Sequence, residues 1–535
     1  KNHVLKTFDH LVKILPAGER TKPQIIFLAG EVTPFRNDTD REMVFRQESN
    51  FFYLTGGNVP SSFLLATFQP GTSLETNPSI NLFIPKAELA DLMWSVPPPD
   101  AQTAQATHDV TSVNYIADLP QTLDTLLKAY PGALFHTLPR DSPLFPKLPA
   151  EYVQQVLQEE TGQAGITDHY LLKALHTARL VKDEEEIALI RHANAISSRA
   201  HEVVMRVLGK AVLGKIQAGA GAGVDRPLLP GEWLIEKEAE AEAIFVASCR
   251  REGSVHQAYL PIVAASTRAS TLHYCCNDRE FAWGPVKPHD HQNKNDFAHA
   301  SKEIAPQVLL IDAGCEWNNY ASDITRTMPV GNGGKFTPEA RAIYELVLQM
   351  QKESFDIIKA GLHWDAVQLI CHRTLVKGFQ KLGIFKTPES PGSGSWNSEE
   401  AILASGDSSA FFPHGVGHSL GMDVHDVPSA SKPADNPTIK GVVLGHESFY
   451  TYLRLRLPLD AGMVVTVEPG IYFSPHLLAA IRDSKHINHD VLKQYESVGG
   501  VRIEDVVVIT ESGFENLTTV RSDVDWVEGV CSGQL

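Results

Sequence analysis

The chain has 535 residues, 43% apolar and 21% charged, which is too long for one ordinary core and unlike a disordered or fibrous protein. With 64 acidic against 47 basic residues the formal charge is −17, which disfavours a broad basic surface, so no nucleic-acid or membrane partner is expected. Six cysteines without paired CxxC spacing point to a reducing, cytoplasmic location rather than a disulfide or zinc-ribbon scaffold.

From Lys1 to Gly18, Lys, His and Asp interrupt the apolar positions, so this stretch reads as neither a signal-peptide core nor a spanning helix. A start at Lys1 rather than Met implies an upstream piece. The apolar run QIIFLA (Gln24 to Ala29) predicts a strand, followed by others at Phe51 to Leu54, Phe63 to Thr67 and Asn81 to Ile84. Helical stretches at Leu119 to Ala129 and Pro149 to Gln158 alternate with them, so residues 1–165 are expected to form an α/β layer domain. A long helix is predicted over Lys182 to Leu208; its acidic opening, Asp183 to Glu186, is a solvated first turn that favours the helix dipole. Beyond residue 260 the strand-like segments PIVAAS, QVLLID, MVVTVE and VRIEDVVVIT predict a second, α+β domain over residues 166–535. Ala218 to Gly223, Trp283 to Asp296 and Thr387 to Ser398 have the composition of inserted loops.

Chemistry concentrates in the second half. In LLIDAGCEWNNYASDITRT, a hairpin centred on Trp317-Asn318 would set Asp312 opposite Asp323, with Cβ atoms about 5 Å apart. Carboxylates that close repel unless protons or cations lie between them, and two divalent ions would resolve the repulsion. Alone, two Asp residues around a turn are an ordinary composition. In FPHGVGHSLGMDVHD, His414, His418 and His425 fall within twelve residues, and the interspersed glycines permit turns that aim imidazoles into one pocket. HExxH is absent, which argues against a helical zinc-protease site. Glu468 and Glu504 each lie on an apolar strand, where an unpaired charge is expensive. Arg502 shares a strand face with Glu504 and invites a salt bridge. Asp312, Asp323, His418, Glu468 and Glu504 together form an oxygen-rich set suited to a pair of Mn²⁺, Co²⁺ or Zn²⁺ ions.

The order and spacing of these residues resemble the pita-bread metallopeptidases, the family of prolidase, aminopeptidase P, methionine aminopeptidase and creatinase. HGVGHSLGMDVHD, TVEPGIY and RIED stand where that family has its motifs, and FRQESNFFYLTG (Phe45 to Gly56) resembles the amino-terminal domain of its proline-specific branch. The resemblance implies an α/β amino-terminal domain followed by a pita-bread catalytic domain, with Asp312, Asp323, His418, Glu468 and Glu504 as ligands to two Mn²⁺. It further implies His414, His425 and Glu468 in catalysis, and His273 and Tyr274 of the LHY string bordering a proline ring. Arg454, fourteen residues before Glu468, matches an arginine that holds a dipeptide's carboxylate in prolidases. Arg502 is grouped with these substrate-side residues. The implied activity is hydrolysis of the Xaa-Pro imide bond of short proline-containing peptides by a homodimer. The reading leans to a dipeptidase (prolidase); the alternatives are an Xaa-Pro aminopeptidase acting on longer peptides and an inactive binding protein.

Overall fold

A computed structural model describes all residues except 73–77, 159–163, 216–225, 227, 282–303, 391–394 and 434–445. The expected insertions at 218–223 and 283–296, and the middle of that at 387–398, lie outside the described residues. Lys1–Leu180 and Val181–Leu535 form two compact units.

In the first unit QIIFLA becomes β1 (Gln24–Ala29), buried at all six positions, as an uninterrupted apolar run requires. It lies inside a six-stranded sheet with β2 (Phe63–Phe68), β3 (Ser79–Ile84), β4 (Ser112–Tyr115), β5 (Leu134–His136) and β6 (Gly165–Thr167), in the order β4-β3-β2-β1-β5-β6. The β1/β2 and β2/β3 pairs are antiparallel and the β3/β4, β1/β5 and β5/β6 pairs parallel. Because β6 completes this sheet, the first unit continues past the expected boundary at 165/166 and takes in the helix Leu171–Leu180. The helix Leu119–Ala129 places Leu119, Leu123 and Leu127 one turn apart, and they pack with Phe27, Phe83 and Phe135 into one core. The strand expected at Phe51 to Leu54 is instead the helix Ser49–Thr55. Glu48 caps it by accepting the Phe51 N–H at 2.7 Å, and Gly56 ends it at φ 65°. Local capping overrides the β preference of the FFYL run.

The second unit opens with the helix Glu184–Leu213. Its capping box is closed, with Asp183 accepting from the Glu186 N–H at 2.9 Å and Glu186 accepting from the Asp183 N–H at 3.0 Å. Glu184 and Glu185 are solvated as expected, whereas Glu186 is buried and accepts from the Tyr320 hydroxyl at 3.0 Å. The strands are β7 (Ile262–Ala265), β8 (Gln307–Asp312), β9 (Glu316–Trp317), β10 (Tyr320–Ala321), β11 (Thr325–Val330), β12 (Val464–Val467), β13 (Gly470–Tyr472), β14 (Gly500–Arg502), β15 (Asp505–Ile509) and β16 (Phe514–Asn516). They form small antiparallel sheets, β11-β8-β7, β9-β10, β12-β15-β16 and β13-β14.

Two details of register position the site. The β9/β10 hairpin turns on Asn318 and Asn319, both at positive φ (46° and 65°), as a two-residue type I′ turn requires. The turn is therefore centred one residue later than expected, and Asp312 pairs with Thr325, not with Asp323. The VRIEDVVVIT run breaks at Ile503-Glu504 into β14 and β15, which join different sheets, and the Glu504 N–H crosses to the Thr325 carbonyl at 3.1 Å.

Leu123 is fully buried. Leu123→Ala is expected to lower the stability of the first unit by about 2–5 kcal/mol, measured by urea denaturation; a change within a few tenths would mean that this face of the helix is not part of the core.

Candidate metal centre

The five ligand candidates come from five places in the second unit: Asp312 ends β8, Asp323 follows β10, His418 lies in the loop after Pro413, Glu468 follows β12, and Glu504 stands at the β14/β15 break. That loop can approach β12 because residue 417 is glycine: a Cβ there would lie 2.0 Å from the Thr466 carbonyl oxygen. The close approach lets the His418 N–H donate to Thr466 Oγ1 at 3.1 Å and the Glu468 N–H donate to the Val416 carbonyl at 2.8 Å. Gly314 does the same for the hairpin, its missing Cβ standing 1.9 Å from the Ser322 carbonyl oxygen.

All five line one cavity of about 690 Å³. Ligand atoms of Asp323, His418 and Glu504 lie within 4.8 Å of one another. His418 Nδ1 donates to the Ser419 carbonyl at 3.1 Å, which leaves Nε2 as a bare lone pair. That lone pair faces Asp323 Oδ2 at 3.4 Å and Glu468 Oε1 at 3.6 Å. The Tyr259 hydroxyl touches both Asp312 Oδ1 and Asp323 Oδ1 (the latter at 2.5 Å), but its single proton can serve only one of them. Burial, and after it the neighbouring carboxylates, push the Asp323, Glu468 and Glu504 carboxyls well above the usual range. For Asp323 the carboxylate with the largest effect is Asp312, and for Glu468 it is Glu504. A crowded set of carboxylates beside an imidazole lone pair fits divalent cations.

Asp312 is braced from behind. Arg502 Nη2 donates to Asp312 Oδ2 at 2.5 Å, Nε to Thr325 Oγ1 at 3.0 Å, and Nη1 to the Tyr472 hydroxyl at 2.9 Å. Thr325 in turn donates to Glu504 Oε2 at 2.6 Å. Arg502 borders the cavity, yet these donors are directed at protein groups, so its geometry is that of a brace rather than the substrate contact expected. His414 extends the chain: its Nε2 accepts from Tyr472 at 2.8 Å and its Nδ1 donates to the Gly415 carbonyl at 2.9 Å. Both ring nitrogens of His414, expected to take part in catalysis, are thus engaged by protein groups. Burial, and next the Arg502 charge, hold its pKa down at about 3.

His425 packs edge-on to His418, ring centroids 4.5 Å apart, and burial followed by the charges of His418 and Arg454 lowers its pKa to about 3. Next to it Asp426 is paired with Lys182 at 2.8 Å, both side chains 1% exposed. His273 and Tyr274 also line the cavity, and the Tyr274 hydroxyl is committed to Glu238, to which it donates at 2.8 Å. Arg454 is exposed and borders both the main cavity and an adjoining recess of about 350 Å³. Tyr259, Thr325 and Lys182 carry no local signal in the sequence. Tyr472 was within reach, because it closes the TVEPGIY string.

The family profile for metallopeptidase family M24 matches residues 188–511, and that for the aminopeptidase P N-terminal domain matches residues 6–135. A probable Xaa-Pro aminopeptidase PEPP of Paracoccidioides brasiliensis (strain Pb18) is 38% identical over 500 residues, covering 92% of this chain and 89% of the relative. The low-pH form of E. coli aminopeptidase P aligns with a TM-score of 0.70 at 26% identity, covering 99% of this chain and 98% of that one. Zinc-substituted E. coli aminopeptidase P in complex with product gives a TM-score of 0.69 at 26% identity over the same shares. The expected architecture, an α/β amino-terminal domain followed by a pita-bread domain, is thereby met. Among the described residues no helix is long and apolar enough to cross a membrane. With both domain profiles matched in order and a relative 38% identical over 92% of this chain's length, the chain belongs to metallopeptidase family M24, in its aminopeptidase P and prolidase branch.

Proposed function

We propose that this metallopeptidase is an Xaa-Pro aminopeptidase that removes the residue before proline from peptides longer than a dipeptide. The observation that carries the chemistry is the convergence of Asp312, Asp323, His418, Glu468 and Glu504 on one cavity wall around a bare imidazole lone pair. The preference for longer peptides rests on the relatives' names and on Arg454, which stands exposed between the cavity and a further recess instead of closing a dipeptide-sized end. The dipeptidase lean of the sequence reading gives way for these two reasons.

In this reading the five residues hold two divalent ions, manganese first among Mn²⁺, Co²⁺ and Zn²⁺. When bound, such a pair lowers the pKa of water and polarises a carbonyl. The protein's own residues do the rest. Glu468, beside His418 and at the cavity edge of β12, moves a proton toward the leaving imide nitrogen. That nitrogen has no N–H and the ring fixes φ, so the substrate needs a dedicated wall, which His273 and the Tyr274 ring supply. His425 donates to the oxyanion that develops at the scissile carbonyl. His414 and Arg502 act as positioning residues through Tyr472 and Asp312. A homodimer in the cytoplasm completes the reading; its six free cysteines suit a reducing compartment.

Protein reconstituted with manganese should hold about two ions per chain by elemental analysis, and Asp323→Ala or Glu504→Ala should empty the site. Absence of stoichiometric metal in the parent protein would sink the reading.

Alanine at His425 or His273 should leave the metal content unchanged and lower kcat/KM on Xaa-Pro bonds by about 10²-fold. Loss of metal from either variant would show that it is a ligand or supports one.

The parent protein should cleave Xaa-Pro-Yaa peptides at least as fast as Xaa-Pro dipeptides, and Arg454→Ala should affect the two by similar factors. Should the substitution depress dipeptide turnover about tenfold beyond its effect on the tripeptide, the loss of a charge-assisted contact to the dipeptide carboxylate, the dipeptidase alternative would stand instead.

A further inference from the structure

The Lys182–Asp426 ion pair takes no part in the chemistry above, although it lies against the loop that carries His418 and His425. Lys182 Nζ and Asp426 Oδ2 are 2.8 Å apart, and both side chains are 1% exposed. Because burial strips both charges of water, such a pair often adds no net stability, so its use lies in what its geometry holds. Lys182 is itself fixed: its N–H donates to the Gly462 carbonyl at 2.9 Å, beside the antiparallel bridge of Val181 to Met463. Glycine at 421 lets the loop close over the pair, since a Cβ there would stand 2.5 Å from Asp426 Oδ2 and 3.0 Å from Lys182 Cε.

The pair anchors a strained piece of backbone. Val427, next after Asp426, is buried at φ 47° and ψ 54°. A left-handed conformation is an outlier for a β-branched residue, and Pro428 after it favours an extended one. Such strain persists only where the surroundings enforce it. On the other side of Asp426, His425 is exposed at the cavity, and among the described residues its ring has no hydrogen-bond partner. The position of that imidazole, edge-on to His418, is therefore set through the backbone. Asp426 is the fixed point: its N–H donates to the Ser419 carbonyl at 2.9 Å and its carboxylate is held by Lys182.

We propose that Lys182 is a positioning residue for the peptidase reaction: through Asp426 it keeps Val427 left-handed and so keeps the His425 imidazole at the cavity. Without the bond to Lys182, Val427 relaxes to negative φ and His425 turns away from His418. The metal ligand candidate His418 keeps its own anchors at Thr466 and Ser419. The consequence for turnover rests on the peptidase reading above, whereas the placement of His425 does not.

The test uses the manganese-reconstituted full chain. Lys182→Met alone strands a buried carboxylate, so the decisive variant is Lys182→Met/Asp426→Asn, which removes both charges and the bond between them. Its circular dichroism and its metal content by elemental analysis should match the parent. Its kcat/KM on Xaa-Pro-Yaa peptides should fall about tenfold or more, since misplacing a reacting group by about 1 Å can cost about 10²-fold. In a His425→Ala background the same two substitutions should change kcat/KM by less than about twofold, because the group they position is gone. A crystal structure of the double variant should show Val427 at negative φ and His425 displaced from His418. The proposal is overturned by equal losses in the two backgrounds, by unfolding of the double variant, by loss of its metal, or by a crystal structure in which His425 and Val427 have not moved. If the parent protein turns over no Xaa-Pro peptide, the peptidase reading has failed, and the crystal structure of the double variant alone decides whether Lys182 places His425.

Discussion

The second unit is organised around a repulsion. Asp323 and Glu504 are buried, with the partly buried Glu468 and Asp312 lining the same cavity, and like charges about 4 Å apart repel by about 4 kcal/mol even at an effective dielectric of about 20. Folding alone would not gather them. They are held by covalent and backbone constraints that act from outside the cluster: the Asn318-Asn319 turn, the break of the strand at Ile503-Glu504, and the contact that glycine at 417 permits with Thr466. The resident counter-charge is Arg502, buried behind Asp312. One guanidinium cannot neutralise four carboxylates, and the remaining negative potential is what suits the wall to cations.

The neutral groups around the cluster serve a second requirement, that hydrogen-bond polarity be unambiguous. The Gly415 and Ser419 carbonyls can only accept, so they set the tautomers of His414 and His418. From His414 the order propagates: Tyr472 must donate to Nε2, which leaves its oxygen to accept from Arg502. Partial burial and the Arg502 charge keep His414 uncharged beside a centre suited to cations, where a protonated imidazole would compete. Thr325 performs the same relay on the other side, accepting from Arg502 and donating to Glu504.

The segment that carries Tyr274 is built on a different principle. It carries no charge cluster and is rigid because Glu238 and Asn277, both buried, spend their hydrogen bonds on the segment between them. The carboxylate cluster and the Tyr274 segment line the same cavity of about 690 Å³.

Much of this was legible in the chain itself. Strands such as QIIFLA and QVLLID, and the helix Leu119–Ala129, follow from apolar periodicity, and the ligand types and their motifs follow from local strings. Those features are encoded within a few residues of one another, which is why pattern suffices. The FFYL segment was misjudged because Glu48 and Gly56, its caps, outweighed the β preference of its aromatic residues. The pairing of Asp312 with Thr325 depended on which two residues took positive φ, a choice that moves every partner along the hairpin. Tyr259, Thr325 and Lys182 were invisible because each acts on residues more than fifty positions away, and only closure of the fold brings such partners to hydrogen-bond distance. The roles of Arg502 and His414 were decided the same way: residue type and spacing announced a guanidinium and an imidazole at the site, but the direction of their donors is set by the tertiary positions of Tyr472 and Asp312.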